Sequence, residues 1–243
     1  MMNQASLNLA DVLFFDIETV PQLSTYAELS DTARDFWDHK AGFLARKEEE
    51  TPEILYQRAG IYAEFGKIVC ISAGFIHQGT QGVELRLKSY CHTDEKQLLL
   101  DFAEVLEQWG RANRVLCGHN IREFDLPYLC RRMLVHGIRL PAIVDIAGLK
   151  PWEVRHLDTL QYWKFGDYKH FTSLKLLAWL FNIPSPKDDI DGSEVADVYY
   201  KARDLERIVR YCERDVVTVV RLMQVFQGQP PIDDAQISLK NDG

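Results

Sequence analysis

An apolar strand ends in the segment Phe14-Phe15-Asp16-Ile17-Glu18-Thr19, on which the fold prediction rests. Side chains alternate between the two faces of a strand, so Asp16 and Glu18 share one face. Two carboxylates about 4 Å apart repel by roughly 4 kcal/mol at an effective dielectric near 20, unless a cation lies between them or one is protonated. Hard divalent cations prefer such oxygen ligands. The pair therefore suggests a metal site, although this short pattern alone is common.

Outward from this segment, the pattern predicts a sheet and then helices. Apolar runs predict strands at residues 12–17, 67–76, 83–90 and 114–118, and amphipathic spacing predicts helices from Asp94 to Trp109 and at 125–136, 173–181 and 202–226. The polar stretch 24–63 predicts a helical insertion after the first strand, and residues 229–243 predict a loose C-terminal tail. Strands first and helices last indicate one α/β or α+β domain over residues 1–243.

Composition describes an ordinary globular protein. Of its 243 residues, 47% are hydrophobic, and no apolar run reaches the roughly 18 residues that cross a membrane. Five scattered cysteines without a C-x-x-C pair argue against a disulfide framework and a zinc site. A cytoplasmic location without membrane contact is the default expectation. The net charge of −8 has the wrong sign for bulk attraction to nucleic acid, so such binding needs a local basic patch or metal ions.

A second acidic segment follows the strand at 114–118. It reads Gly118-His119-Asn120-Ile121-Arg122-Glu123-Phe124-Asp125, and Asp125 lies at the start of the next predicted helix. A simple alternative is that Asp125 is an N-cap, which stabilises a helix by about 1 kcal/mol.

The third segment, Tyr211-Cys212-Glu213-Arg214-Asp215, lies inside a long predicted helix. The i, i+4 spacing places Tyr211 and Asp215 on the same face. Valines surround Asp215, and a buried Asp is costly unless it is paired or bound to metal. Taken alone, this segment favours a salt bridge from Asp215 to Arg214 or Arg210.

Together, in this chain order, the three segments resemble the three motifs of the DEDD exonuclease superfamily, which has a ribonuclease-H-like fold. The tyrosine marks the DEDDy branch, because the other branch has a histidine where this chain has Arg210. The sequence looks most similar to the proofreading exonuclease of family-B DNA polymerases and its predicted stand-alone relatives. The resemblance implies an α/β fold with a mixed central sheet flanked by helices.

The resemblance also implies a chemistry. Two divalent cations, Mg²⁺ or Mn²⁺, would be held by four carboxylates, with Asp16 contacting both ions. Tyr211 would orient the attacking water, and the products would be nucleoside 5′-monophosphates released from a 3′ end, with single-stranded DNA as the expected substrate. The implied catalytic residues are Asp16, Glu18, Asp125, Tyr211 and Asp215, and the implied metal ligands are Asp16, Glu18, Asp125 and Asp215.

Several further residues have two interpretations each. Thr19, Asn120 and Phe124 are candidates for contacts to the terminal nucleotides, but turn formation by Asn120 and core packing by Phe124 are equally open. Asp158 matches an acidic residue found between the second and third motifs of the family, and a helix N-cap explains it equally well. The basic and aromatic segment 164–175 is either a nucleic-acid surface or a helix-loop face with core aromatics.

Rival functions also remain. The same residues serve relatives that trim RNA, so an exoribonuclease is an alternative. A non-catalytic nucleic-acid-binding module is another, although the intact set of five residues speaks against it. The chain has no room for a polymerase palm and thumb, so the expectation is an exonuclease that acts alone or serves a polymerase or repair partner in trans.

Overall fold

The computed structural model describes residues 8–47, 49–79, 82–111, 114–167, 169, 171–184 and 190–240. Its six-stranded mixed sheet has the order β5-β4-β1-β2-β3-β6. The strands are β1 (Val12–Pro21), β2 (Gly66–Gly79), β3 (Gly82–Cys91), β4 (Val115–Gly118), β5 (Leu157–Asp158) and β6 (Ile237–Leu239). Antiparallel pairing joins β1, β2 and β3, whereas β4, β5 and β6 each add parallel to a neighbour.

Eight helices connect or cover the strands in the described part of the chain. They are α1 (Asp31–Leu44), α2 (Pro52–Leu55), α3 (Glu95–Gly110), α4 (Asp125–Val135), α5 (Thr159–Lys164), α6 (Leu174–Leu180), α7 (Val195–Asp197) and α8 (Leu205–Phe226). A π-helical turn, Val198–Ala202, follows α7 and ends at Arg203, whose φ is 54°. No helix among these residues is long and apolar enough to cross a membrane.

The alternation of side chains along β1 divides the core into two layers. Leu13, Phe15 and Ile17 pack against α3 and α4, as the predicted amphipathic stripe of α3 requires. Val12 and Phe14 point to the other face, where they meet the valines of α8. Asp16 continues this second row, so the acidic end of β1 faces α8.

The predicted insertion at 24–63 is helical and has a small core of its own. Trp37 is fully buried there, and its ring makes edge contacts with Tyr56 and Phe65 at centroid distances of 5.5 and 5.1 Å. Its indole N–H donates to the Pro52 carbonyl at 2.7 Å. The 3-10 segment Tyr56–Ile61 returns the chain to β1, where Gly60 lies so close to the Val20 backbone that a Cβ would be 2.9 Å from the Val20 carbonyl carbon.

The C-terminal segment differs from its prediction as a loose tail. Residues Asp234–Gln236 form a 3-10 turn, and β6 then pairs in parallel with β3. Arg221 of α8 fixes the approach, because its buried guanidinium donates to the Ile232 carbonyl at 3.0 Å and contacts Asp234. The prediction was wrong for these residues because three-residue strands carry no readable period, and residues 241–243 lie outside the description.

Candidate active site

The acidic pair lies at the end of β1. Asp16 pairs with Ser72 and Glu18 with Cys70 in the antiparallel ladder, so their side chains share one face, as predicted. The register shifts directly after Glu18, where Thr19 pairs with Ile68 and leaves one extra residue on β2. Such a bulge bends the strand and redirects side chains, and it fixes where the acidic row ends.

Asp125 comes from the start of α4. The N-cap is Phe124, whose side chain makes no capping bond, so the alternative that Asp125 is a plain N-cap is wrong. Its carboxylate Oδ1 instead accepts a hydrogen bond from the Ile17 backbone N–H at 3.3 Å. This contact bridges 108 positions of sequence and brings the second acidic segment to the first.

Helix α8 contributes Tyr211, Cys212 and Asp215. The helix packs on β1 and β2 through Cys212, Val216, Val219 and Val220, all of which are buried. Of the two arginines predicted as partners of Asp215, Arg210 lies 3.7 Å from Glu206, and Arg214 Nε donates to the Arg210 carbonyl at 3.1 Å. A salt bridge from Asp215 to either arginine stays a prediction.

The carboxylates perturb one another, which shows that the three segments meet. Burial, followed by the charges of Asp125 and Asp215, holds the pKa of Asp16 well above its usual value. Burial and the charges of Asp16 and Asp215 do the same for Glu18. Burial raises the pKa of Asp125 to about 7, with hydrogen bonds from backbone N–H groups opposing the shift. A cluster that resists ionisation in this way is stabilised by bound cations.

Sequence reasoning missed Cys212. Ligand atoms of Asp16, Glu18 and Cys212 lie within 4.8 Å of one another, while Asp125 and Asp215 lie outside this compact group. The Cys212 thiol donates to Asp16 Oδ2 at 3.4 Å, and burial raises its pKa well above the usual range. It is therefore a protonated donor that positions Asp16. The sequence did contain one indication of this role, because Cys212 directly follows Tyr211 in the third acidic segment.

Tyr211 and Asp215 line a cavity of about 250 Å³ together with Phe171, Lys175 and Asp191. Burial, followed by the charges of Asp215, Glu18 and Asp16, raises the pKa of the Tyr211 hydroxyl. The phenol therefore keeps its proton and stays neutral. A larger cavity of about 870 Å³ lies on the opposite face of the sheet, where Leu13, Phe75 and Trp109 are among its lining residues.

The turn before α4 depends on Asn120 and Asp158. Asn120 has a left-handed backbone with φ 63°, a conformation that asparagine tolerates better than most residues, so the turn-forming interpretation is observed and its contact with substrate stays a prediction. Its side-chain Oδ1 is buried without a hydrogen-bond partner among the described residues. Asp158 caps α5, as one interpretation held, and also accepts from the backbone N–H groups of Asn120 and Arg122 at 3.0 and 3.1 Å.

Thr19 and Phe124 flank the site. Both are partly exposed, and the Phe124 ring packs against Tyr128 at a centroid distance of 5.5 Å. Tyr128 donates to the Gly60 carbonyl at 2.8 Å and contacts Thr19 and Gly66, so it connects α4 to both sides of β1. Core packing of Phe124 is thus observed, and its contact with substrate stays a prediction.

The basic and aromatic segment 164–175 is largely surface. Phe165 and Phe171 are 91% and 66% exposed, which excludes the interpretation that they are core aromatics. Lys164 lies 3.9 Å from Glu123. Tyr168 and His170 lie outside the described residues.

Comparison with solved structures supports the fold. A family B DNA polymerase from the hyperthermophilic archaeon Pyrobaculum calidifontis matches 88% of this chain with a TM-score of 0.54 and 16% sequence identity. The match confirms the predicted mixed sheet of ribonuclease-H-like type. This chain covers 24% of that polymerase.

Sequence comparisons agree. A DNA polymerase of Pyrococcus glycovorans is 24% identical over 147 residues, which are 55% of this chain and 18% of the polymerase. A family model described as a predicted 3′-5′ exonuclease related to the exonuclease domain of PolB matches residues 61–230. The model covers Asp125, Tyr211 and Asp215, while Asp16 and Glu18 precede it. The chain thus belongs to the family of predicted 3′-5′ exonucleases related to the exonuclease domain of PolB, as its motifs predicted.

Proposed function

We propose that this chain is a metal-dependent exonuclease that removes nucleoside 5′-monophosphates one at a time from the 3′ end of single-stranded DNA. The observation that carries the proposal is the meeting of Asp16, Glu18, Asp125 and Asp215 from β1, α4 and α8, with raised pKa values for the first three. A fold stabilises such a cluster of like charges most readily around cations.

The donor set fits hard divalent cations. Carboxylate oxygens are the ligands that Mg²⁺ and Mn²⁺ prefer, and the nearby Cys212 sulfur is a protonated hydrogen-bond donor. In the proposal, Asp16, Glu18, Asp125 and Asp215 would hold two such ions. When bound, the ions activate the attacking water and stabilise the charge that develops on the leaving 3′ oxygen.

The remaining residues position the reactants. Tyr211 is a neutral phenol, because burial and the adjacent carboxylates raise its pKa, so its O–H donates a hydrogen bond to orient water or phosphate. Because this phenol does not ionise at neutral pH, it has no phenolate that could serve as the general base. The hydrogen bond from the Cys212 thiol restricts the orientation of the Asp16 carboxylate. Thr19, Asn120 and Phe124 are proposed to contact the terminal nucleotides from the rim.

The deciding experiment is a time course on 5′-labelled single-stranded DNA and an RNA of the same sequence. Each is incubated with Mg²⁺, Mn²⁺ or EDTA. The active-site variant is Asp16→Asn combined with Asp215→Asn, and the matched control is Glu206→Gln, which removes a 91% exposed carboxylate from the same helix α8. The proposal expects a ladder that shortens from the 3′ end, needs the metal, and disappears only in the active-site variant.

The other outcomes select the alternatives. Faster shortening of RNA than of DNA replaces the DNA substrate with RNA and leaves the chemistry intact. Binding of either strand without cleavage, by folded protein with metal present, contradicts the enzyme and supports the binding module. A polymerase or repair partner acting in trans stays a prediction.

A further inference from the structure

An exposed phenyl ring lies at the mouth of the catalytic cavity. Phe171 is 66% exposed and lines the same cavity of about 250 Å³ as Tyr211 and Asp215. An aromatic ring left in water next to a reactive centre loses the burial that rings usually gain in a core. Since the fold gains little from this ring, its place in the cavity wall suggests a ligand.

The backbone beside Phe171 is anchored. The half-buried ring of His119 contacts the Thr172 carbonyl through Nε2 at 2.9 Å and the Thr159 hydroxyl through Nδ1 at 2.8 Å. Burial lowers the pKa of His119, which favours the neutral ring. Because a carbonyl only accepts, Nε2 carries the proton in the contact with Thr172, while the Thr159 hydroxyl also donates to the Gly118 carbonyl at 3.3 Å.

The His119 ring also touches Phe171 edge to face, with ring centroids 6.2 Å apart. This contact and the anchored backbone favour one position of the phenyl ring before any ligand arrives. A side chain that is restricted in this way loses less conformational freedom on binding, which favours its use as a stacking surface.

The chemistry of the cavity selects the ligand. A phenyl ring has no polar group and stacks on the face of any nucleobase. The cavity of about 250 Å³ is smaller than the about 300 to 1,000 Å³ of pockets that hold drug-sized ligands, so it has no room for a base pair.

We infer that Phe171 stacks on the base of the 3′-terminal nucleotide, so that the enzyme takes an unpaired end whatever its base. This inference rests on the proposed exonuclease function and names the substrate feature that its site recognises. It makes the base, as well as the scissile phosphate, part of what the chain binds.

The test removes the ring and the base separately. Phe171→Ala and wild-type protein are compared on single-stranded oligonucleotides that end in a normal nucleotide or in an abasic one. Stacking contributes about 1 to 3 kcal/mol per base, so Phe171→Ala is expected to lower kcat/KM on the normal end by roughly 5- to 150-fold. On the abasic end, the variant and wild type are expected to cleave equally, because no base is there to stack.

Two further variants exclude indirect effects. Phe36→Ala removes a phenyl ring of α1 that is as exposed as Phe171 but does not line the cavity, and it is expected to match wild type on both ends. Phe171→Trp keeps an aromatic face and is expected to restore the rate on the normal end. Thermal melts of each variant show that the fold is retained.

The outcomes separate the two proposals. If wild-type protein cleaves neither end, the proposed function itself fails. If wild type cleaves both ends and Phe171→Ala slows both equally, or slows neither, the stacking inference is overturned while the exonuclease stands. A loss of rate in Phe171→Ala that is confined to the end carrying a base supports both the exonuclease function and the stacking inference.

Discussion

The Ile17 backbone N–H donates a hydrogen bond to Asp125 Oδ1 at 3.3 Å, which joins the acidic strand β1 to the start of helix α4. The bond favours the ionised carboxylate, yet burial outweighs it and raises the pKa of Asp125 to about 7. Asp125 thus changes its charge near neutral pH.

This relationship predicts how the metal-free protein responds to pH. The pKa of Asp125 is higher in the folded chain than its ordinary 3.8, so between these values the folded state holds a proton that the unfolded state has lost. Stability therefore falls as pH rises from about 4 through about 7. Melting temperatures measured in EDTA at pH 5, 6, 7 and 8 are expected to decrease, and Mg²⁺ or Mn²⁺ is expected to raise them most at pH 8.

Asp125→Asn provides the comparison, because an amide cannot lose the proton. Its melting temperature in EDTA is expected to depend less on pH than that of wild type, and to respond less to added metal. A wild-type melting temperature that rises from pH 5 to pH 8 in EDTA would contradict the raised pKa.

A second prediction concerns the hydroxyl of Tyr211. Tyr211→Phe removes a hydrogen-bond donor from the cavity and leaves the ring packing, so kcat is expected to fall by roughly 10²-fold with little change in KM. Steady-state kinetics on single-stranded DNA measure both constants. Tyr199→Phe is the matched control, since that ring contacts Tyr200 and Lys67 and not the cavity, and it is expected to keep full activity.

The raised pKa of Tyr211 also predicts how the rate of the variant depends on pH. Because burial and nearby carboxylates raise it above the usual value for a phenol, Tyr211 stays protonated throughout the accessible pH range. Any pH dependence of kcat in wild type is therefore expected to persist in Tyr211→Phe. A limb of the profile that vanishes in this variant would assign proton transfer to Tyr211.

The sequence predicted the parts of the fold that carry a clear period. Strand β1, helix α3 and helix α4 begin within one residue of their predicted positions, because alternation and amphipathic spacing are repeated there. Strands β5 and β6 have 2 and 3 residues, too few to show a period, and they form by pairing with strands already in place.

In the site, too, local motifs could be predicted from the sequence and long-range contacts could not. Asp16, Glu18, Asp125, Tyr211 and Asp215 were found because each lies in a motif that is local in sequence. The contacts of Asp158 with the turn at Asn120 span 38 positions, and the thiol of Cys212 reaches Asp16 across 196, so no local pattern reports them. Such long-range contacts depend on the packing of whole elements.

A third prediction concerns Asp158, which supports the second acidic segment. Its carboxylate accepts hydrogen bonds from four backbone N–H groups, at 3.0, 3.1, 2.9 and 3.3 Å, in the turn before α4 and at the start of α5. Asp158→Ala leaves these donors unpaired in a buried place, so the free energy of unfolding is expected to fall by at least about 2 kcal/mol. Denaturant titration measures this loss.

Activity is expected to fall as well, because a turn that shifts by about 1 Å displaces Asp125 and costs on the order of 10²-fold in rate. Asp94→Ala is the control: Asp94 caps α3 through one hydrogen bond at 2.9 Å, far from the carboxylates in sequence. It is expected to cost about 1 kcal/mol and no activity. Full activity in Asp158→Ala would limit Asp158 to capping α5.

A fourth prediction concerns the buried ion pair that holds α4 to α3. Arg132 donates to Glu95 at 2.9 and 2.6 Å and to the Ala63 carbonyl at 2.9 Å, while Glu95 also accepts from the Ile68 N–H at 2.8 Å. Burial opposes ionisation of Glu95, but these hydrogen bonds and one from His136 outweigh it and lower its pKa. The pair therefore connects both helices to β2 and the insertion.

Arg132→Met is expected to lower the free energy of unfolding by about 3 to 5 kcal/mol, because it leaves the Glu95 carboxylate buried without its main partner. The exposed neighbour Arg131 is the control, and Arg131→Met is expected to stay within about 0.5 kcal/mol of wild type. Since the pKa of Glu95 is lowered, its contribution is complete above the ordinary value near 4.5 and is lost as pH falls below it. Denaturant titrations at pH 7 and pH 3.5 are therefore expected to show a smaller difference between Arg132→Met and wild type at the lower pH; an equal difference at both would mean that packing of the arginine, and not its charge, stabilises α4.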